Sequence, residues 1–182
     1  MIEILLKFDT FLFHLINSGF SNSIFNIIMP IFHHTKYILP FLLFFWILAI
    51  IYDKKNRWKL LILIPIGIIL VDQTGLFIKK TVLRPRPFVV MDPLDINHLV
   101  RPSGLKKSFP SNHAANNAFL AIFFSYIYNN LKYLFWGFAI IIMFSRIYIG
   151  VHYPSDVVFG CCLGIAYGLL LIKAWNYFKK SN

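Results

Sequence analysis

Charged residues are scarce. They make up 14% of the chain, about half the usual globular share. Acidic residues are the scarcest, 7 Asp and Glu against 18 Lys and Arg. With 58% of its 182 residues hydrophobic, the chain cannot clothe a soluble globule in polar surface. The formal net charge of +11 would point to nucleic acid in a soluble protein. Without a soluble basic face that partner is excluded, and anionic headgroups or a phosphorylated substrate fit the charge better. Cysteine is nearly absent. Cys161 and Cys162 are adjacent, cannot close a normal disulfide, and read as small apolar packing residues. No repeat or low-complexity tract occurs. An uninterrupted signal-type apolar core is also missing. Residues 2–16 carry Glu3, Lys7, Thr10 and His14 on one helical face, which predicts an amphipathic helix at the membrane interface rather than a cleaved leader. A short, polar-striped first span inside the bundle is the alternative.

What the chain does have is long apolar runs: 37–52, 58–78, 114–128, 133–149 and 157–175. A span needs roughly 17–25 residues, and two of these runs reach it with tilt and flanking residues. A second short apolar piece, 22–34 with Pro30 inside, either crosses alone or joins residues 2–16 in one broken crossing. The expectation is an all-α integral membrane bundle of about six transmembrane helices, one domain over residues 1–182, with an N-terminal amphipathic helix.

Counting crossings places function. Residues 79–111 form the one long polar loop, and two further crossings return the chain to the same side at Arg146–Asp156. The opposite side carries Lys54, Lys55, Arg57, Lys59, Lys132, Lys173, Lys179 and Lys180, the cytoplasmic signature. The long loop carries Lys79, Lys80, Arg84, Arg86, Arg101, Lys106 and Lys107. It faces outward, toward a periplasm or the cell exterior, only if a site holds some of these charges.

Three polar clusters converge on that face: K-K-T-V-L-R-P-R-P-F from Lys79, F-P-S-N-H-A from Phe109, and S-R-I-Y-I-G-V-H-Y-P-S-D from Ser145. Together they offer Lys79, Arg86, Ser111, Arg146, two histidines and Asp156. Fixed cations with helix-start N–H groups at Pro110-Ser111 and Pro154-Ser155 make an oxyanion site. Two histidines beside it suggest chemistry: one attacks phosphorus while neutral, the other protonates the leaving oxygen. An aspartate four residues after His152 can fix the tautomer of that ring.

Residues 79–87 match K-x6-R-P, residues 110–113 match P-S-x-H, and residues 145–156 match S-R-x5-H-x3-D. In order and spacing these resemble the three signature motifs of the type-2 phosphatidic acid phosphatase superfamily, which also includes vanadium haloperoxidases. The three-motif region covers 79–156. The resemblance implies that His152 becomes phosphorylated, Asp156 orients it, and His113 protonates the leaving group and then activates water. It implies that Lys79, Arg86, Ser111 and Arg146 hold phosphate oxygens, with no metal and no cofactor. Where the family usually has Gly, this chain has Asn112, whose N–H can still meet phosphate while its side chain narrows the pocket. The implied activity is hydrolysis of a phosphomonoester, or of the terminal phosphate of a lipid diphosphate. Undecaprenyl diphosphate, lipid A 1-phosphate and phosphatidylglycerophosphate stand as candidate substrates. A vanadate-dependent peroxidase and a lipid-phosphate binding or transport protein are the rivals.

Other polar residues have plainer readings. Arg84 matches no motif position and is expected to cap the loop or meet headgroups. His33 and His34 lack a third metal ligand and are expected at the interface. Asp72, inside a span, is expected to brace the bundle with Gln73 beneath the site. Gly160, Gly164 and Gly168 form a ladder expected to pack inside the bundle, with a homodimer face as the alternative.

Overall fold

The apolar runs become helices that stop where the polar breaks fall. The computed structural model describes residues 2–181. In chain order these are α1 (Ile2–Asn17), α2 (Ser23–Ile28), a 3-10 segment (Met29–His33), α3 (Thr35–Tyr52), α4 (Arg57–Val82), α5 (Pro87–Val90), α6 (Asn112–Ile127), α7 (Lys132–Tyr148) and α8 (Pro154–Ser181). Local chemistry sets the ends. The Asn22 side chain caps α2 by accepting the Phe25 N–H at 2.9 Å. Asp53 closes the α3–α4 turn by accepting from the Asn56 backbone (3.0 Å) and side chain (2.8 Å). α4 runs through Pro65 and ends at Leu83, which takes a left-handed φ of 49° before Arg84-Pro85; a residue preceding proline disfavours helix. Lys79 and Lys80, read as the start of the long loop, thus belong to the last turn of α4.

α6 is the central helix. It packs along α8 and against α7 and α4, and Ala114, Ala118, Phe119 and Phe123 on it are buried. The glycine ladder makes the α6–α8 approach possible. A Cβ on Gly160 would stand 2.4 Å from the Ser111 carbonyl oxygen, and one on Gly164 would stand 2.0 Å from that of Ala115. This is the intramolecular packing expected of the ladder. Gly168 likewise faces α6, at Ile122 and Phe119, so all three glycines of the ladder meet α6 of the same chain. In lipid, such close packing rather than hydrophobic transfer holds helices together. Outward-facing Phe41, Phe44, Ile69, Phe77, Ile140 and Leu170 are exposed, as lipid-facing positions would be.

The helix count departs from six. Three helical stretches among the described residues are long and apolar enough to cross a membrane: Arg57–Val90, Asn129–Tyr148 and Pro154–Lys179. A fourth is Ser23–His33 with Lys36–Tyr52, bent by 61°. α1 and α6 have 16 residues each, about 24 Å at helical rise, short of a hydrocarbon core of about 30 Å. α6 is short because Ser111 caps it inside the protein, where the site lies.

α1 also departs from expectation. It docks on α7 and α8 through Asp9, Phe13 and Asn17, all buried, and not through the expected polar stripe. Glu3 and Lys7 of that stripe stay exposed and pair with each other at 2.9 Å. Asn17 donates to the carbonyl oxygens of Tyr148 (2.6 Å) and Asn97 (2.9 Å) and accepts the Asn97 N–H (2.8 Å). One side chain thereby ties α1, the end of α7 and the long loop together.

Candidate active site

The site forms where α4 ends, α6 and α8 begin, and α7 turns over. That turn needs Gly150: its φ is +79°, and a Cβ there would stand 3.1 Å from the Asn97 carbonyl oxygen. The tight turn lets residues 151–153 double back, so His152 lies 3% exposed beneath the surface. Asp156, fully buried in the first turn of α8, sets its carboxylate toward that ring, with Oδ2 3.4 Å from His152 Nδ1. This is long for a hydrogen bond, because the same oxygen already accepts from Ser108 Oγ (2.6 Å) and the Tyr153 N–H (2.9 Å). On the other side of the ring, Arg86 Nη1 lies 3.5 Å from His152 Nε2. A guanidinium only donates, so this contact fits the tautomer with Nε2 unprotonated and the proton on Nδ1, the nitrogen that faces Asp156. Burial pushes the imidazole down to about 3, with Asp156 opposing and the Arg86 charge adding to the shift. His152 is therefore neutral at ordinary pH.

The cations come from three elements. Lys79, buried on α4, donates to the carbonyl oxygens of Lys107 (3.2 Å) and Pro110. Arg86 donates to those of Gly104 (3.0 Å) and Val151 (2.8 Å). Arg146, 1% exposed at the end of α7, lies 3.0 Å from His33 Nδ1 and reaches Ser145 Oγ. Among the described residues none of the three has a carboxylate partner within ion-pair distance. Buried charge without a counter-charge is costly, so an anion entering here relieves a standing penalty. Ser111, fully buried, caps α6 through a long contact from the Ala114 N–H (3.5 Å) and fixes its own N–H on the Asp156 carbonyl oxygen (3.0 Å). As the first residues of α6, Asn112 and His113 have no intrahelical acceptor for their N–H groups. The Asn112 side chain turns away and donates to Asp72 Oδ1 at 3.0 Å.

All eight residues singled out by the motifs thus lie at one end of the bundle. Three others had been given other roles or none. Arg84, expected to cap the loop or meet headgroups, reaches Asp156 Oδ1 (2.6 Å), Asp9 Oδ2 (2.7 Å) and Ser155 Oγ (2.8 Å), and lies 4.0 Å over the Tyr153 ring. Asp9 on α1 was not singled out. It also accepts the N–H and hydroxyl of Ser155, so the first helix braces the carboxylate that faces His152. His33, expected at the interface, stacks parallel to His113 with ring centroids 6.3 Å apart. The one available signal was the scarcity of acidic residues: Asp9 is one of 7 Asp and Glu in the chain, and it stands on the helix off the stripe formed by Glu3, Lys7, Thr10 and His14.

Beside His113 opens a cavity of about 720 Å³ between α3, α4, α6 and α7. Leu42, Trp46, Ile68, Leu120 and Phe124 give it apolar walls, and Asp72, Asn112, Asn116 and Asn117 form a polar end next to His113. Asp72 accepts from Asn112 and Asn116 across α4 and α6, which is the bracing expected of it, but Gln73, expected to share that role, is exposed.

Comparison with known proteins agrees with this geometry. The chain is 31% identical over 134 residues to a lipid A 4'-phosphatase of Porphyromonas gingivalis, covering 70% of this chain and 57% of that protein. It is 35% identical over 92 residues to the undecaprenyl-diphosphatase BcrC of Bacillus subtilis, covering 49% and 44%. The chain thus spans about half the length of these curated relatives. The crystal structure of Aquifex aeolicus LpxE superimposes with a TM-score of 0.73 at 25% identity, covering 89% of this chain and 93% of that one. The PAP2 superfamily profile matches residues 58–180, a stretch that holds all three motifs and well over half of the chain, which therefore belongs to the PAP2 superfamily.

Proposed function

We propose that the protein is a membrane lipid phosphatase working through a phosphohistidine. The observation that carries this reading is the trio of buried cations without carboxylate partners among the described residues, Lys79, Arg86 and Arg146, at the same end of the bundle as a neutral His152 whose Nε2 faces Arg86. With Ser111 and the N–H groups at the start of α6, including that of Asn112, they hold the phosphate oxygens and the charge that builds on them in the transition state. Nε2 attacks phosphorus and an N–P bond forms while the P–O bond to the lipid breaks. His113, which must enter this step as the imidazolium, gives a proton to the departing oxygen and becomes neutral. Asp156 stabilises the positive charge on the phosphorylated ring through Nδ1–H. Water then gives a proton to His113 and attacks phosphorus, the N–P bond breaks, and phosphate leaves with His152 restored. The 3.4 Å separation of His152 and Asp156 tightens as that positive charge develops.

The substrate class is a phosphomonoester or terminal phosphate on a membrane lipid whose chain lies in the cavity beside His113. The names of the relatives support lipid A and undecaprenyl diphosphate as candidates, and phosphatidylglycerophosphate has the same chemistry. The test is phosphate release by purified protein in detergent with EDTA present, on these three lipids, with His152→Ala as control. Release that needs His152 and ignores EDTA is expected. Undiminished release by the variant would overturn the phosphohistidine.

The site faces the periplasm or cell exterior. Lys79, Arg84 and Arg86 are engaged with protein partners, which supports discounting them as cytoplasmic signals. In a variant with Cys161 and Cys162 replaced, an impermeant thiol reagent should label a cysteine at Asp95 from outside and spare one at Asn56. The reverse pattern would put the site in the cytoplasm.

A further inference from the structure

Of the three cations, Arg146 is the deepest, 1% exposed at the end of α7. A buried guanidinium has N–H groups on every side and each needs an acceptor. Among the described residues its side-chain partners are Ser145 and His33. Ser145 Oγ lies 3.4 Å from both Nε and Nη2, a long contact, and that hydroxyl is itself donated to the Ile142 carbonyl oxygen at 2.7 Å. The short contact is to His33 Nδ1, 3.0 Å from Nη1. It fits a neutral His33 ring with Nδ1 unprotonated, since a guanidinium only donates.

His33 stands outside the three motifs, on the 3-10 segment Met29–His33, and that segment is fastened to the end of α7. Met29 is buried against Tyr148, Ile149 and Val151. Just before it, Asn26 Oδ1 accepts the Tyr148 hydroxyl at 2.6 Å. Phe32 meets Phe138 of α7 edge to face, with ring centroids 6.4 Å apart. The half-buried His33 ring therefore reaches Arg146 from a braced support. The same ring lies parallel to that of His113, with 11° between the planes and 6.3 Å between centroids. One side chain thus meets the third-motif arginine and packs beside the second-motif histidine.

We infer that His33 is a positioning residue whose Nδ1 holds the Arg146 guanidinium in the orientation that meets phosphate oxygens. This rests on the phosphatase reading above. Taking one N–H of Nη1 leaves the other, with an N–H of Nη2, for the phosphate, and donors fixed in a plane recognise phosphate better than a mobile charge does. Without the acceptor, a buried N–H of Arg146 is left unpaired, and the guanidinium turns toward other carbonyl or hydroxyl oxygens and away from the phosphate. His33 acts through Arg146 and takes no part in bond making.

The test compares His33→Leu, which keeps bulk and removes the acceptor, with His33→Asn, whose side-chain oxygen can stand where Nδ1 stands. The readout is inhibition by orthovanadate, a mimic of five-coordinate phosphorus, during cleavage of whichever of the three lipids above the purified protein cleaves fastest. An inhibition constant does not depend on how much of a variant is folded. His33→Leu should weaken vanadate inhibition about tenfold and lower kcat about tenfold to 10²-fold. His33→Asn should recover most of both. If His33→Leu gives no folded protein, His33→Ala takes its place in the same comparison. A vanadate constant within about twofold of wild type in the acceptor-less variant overturns the inference while the phosphatase reading stands. So does equal weakening in His33→Asn, which would trace the loss to the shape of the ring, and so does a wild type that vanadate leaves uninhibited. Release from none of the three lipids by wild type overturns the phosphatase reading and this inference with it.

Discussion

At the scale of single residues, the motif positions were legible because their chemistry is written locally: a lysine, two arginines, two histidines, a serine and an aspartate at set spacing. Asp9 and His33 were not legible. Asp9 meets Ser155 across 146 positions, and His33 meets Arg146 across 113, pairings that no local pattern announces. Asp9 nonetheless shares Arg84 with Asp156, so it acts on His152 at two removes. Asp9→Ala should lower kcat by roughly tenfold to 10²-fold, the loss that small misplacements of a reacting group bring, with KM nearly unchanged. Steady-state kinetics decide this, and a change confined to KM would count against the link. His152 predicts a pH effect of its own. Its imidazole is held at about 3 in the folded protein against an ordinary 6.5. Between those values the unfolded chain binds the extra proton, so this contribution to stability is full above about 6.5 and is lost as pH falls toward about 3. The melting temperature in detergent should drop across that window, and His152→Gln should flatten the drop.

At the scale of elements, glycine positions separate two behaviours that composition alone does not distinguish. Gly164 faces the Ala115 carbonyl oxygen, where an added Cβ would stand at 2.0 Å, and neither backbone can move without parting α6 from α8. Gly164→Val should destabilise by about 1–3 kcal/mol or more, as overpacking does, and should lower activity because α6 and α8 carry Ser111, His113 and Asp156. Gly137 on α7 has open space around its Cα, so Gly137→Ala should be neutral or stabilise by up to about 1 kcal/mol through helix propensity. Thermal unfolding of the two variants in one detergent reads both. The ladder was legible because small residues every four positions mark close helix packing. The boundaries of α1 and α6 as spans were less so, since hydropathy reports that a run is apolar but not whether its neighbour is lipid or protein. α6 is apolar because it is the core of the bundle, and it can be short for the same reason.

At the scale of the whole molecule, one end of the bundle gathers the three motifs and an apolar cavity opens on its flank, and α1 is docked against the motif end by Asp9, Phe13 and Asn17. The order of helices and the meeting of the long loop with the α7–α8 turn at one end of the bundle followed from counting apolar runs, whereas the docking of α1 did not, because its contacts lie on a face other than its polar stripe. Asn17→Ala removes the hydrogen bonds to Tyr148, Asn97 and Ile147 and should loosen α1, the long loop and the α7 turn together, seen as faster proteolysis of the segment 91–108. The consequence reaches further than a point substitution. α1 ends at Asn17, and the turn after it is made by exposed residues 18–21, so the first helix is a separable piece that supplies one carboxylate and one amide to the rest. A chain opened at that turn should lose phosphate release when its first helix is withheld and regain it when the helix is returned as a free peptide, but not when that peptide carries Asp9→Ala.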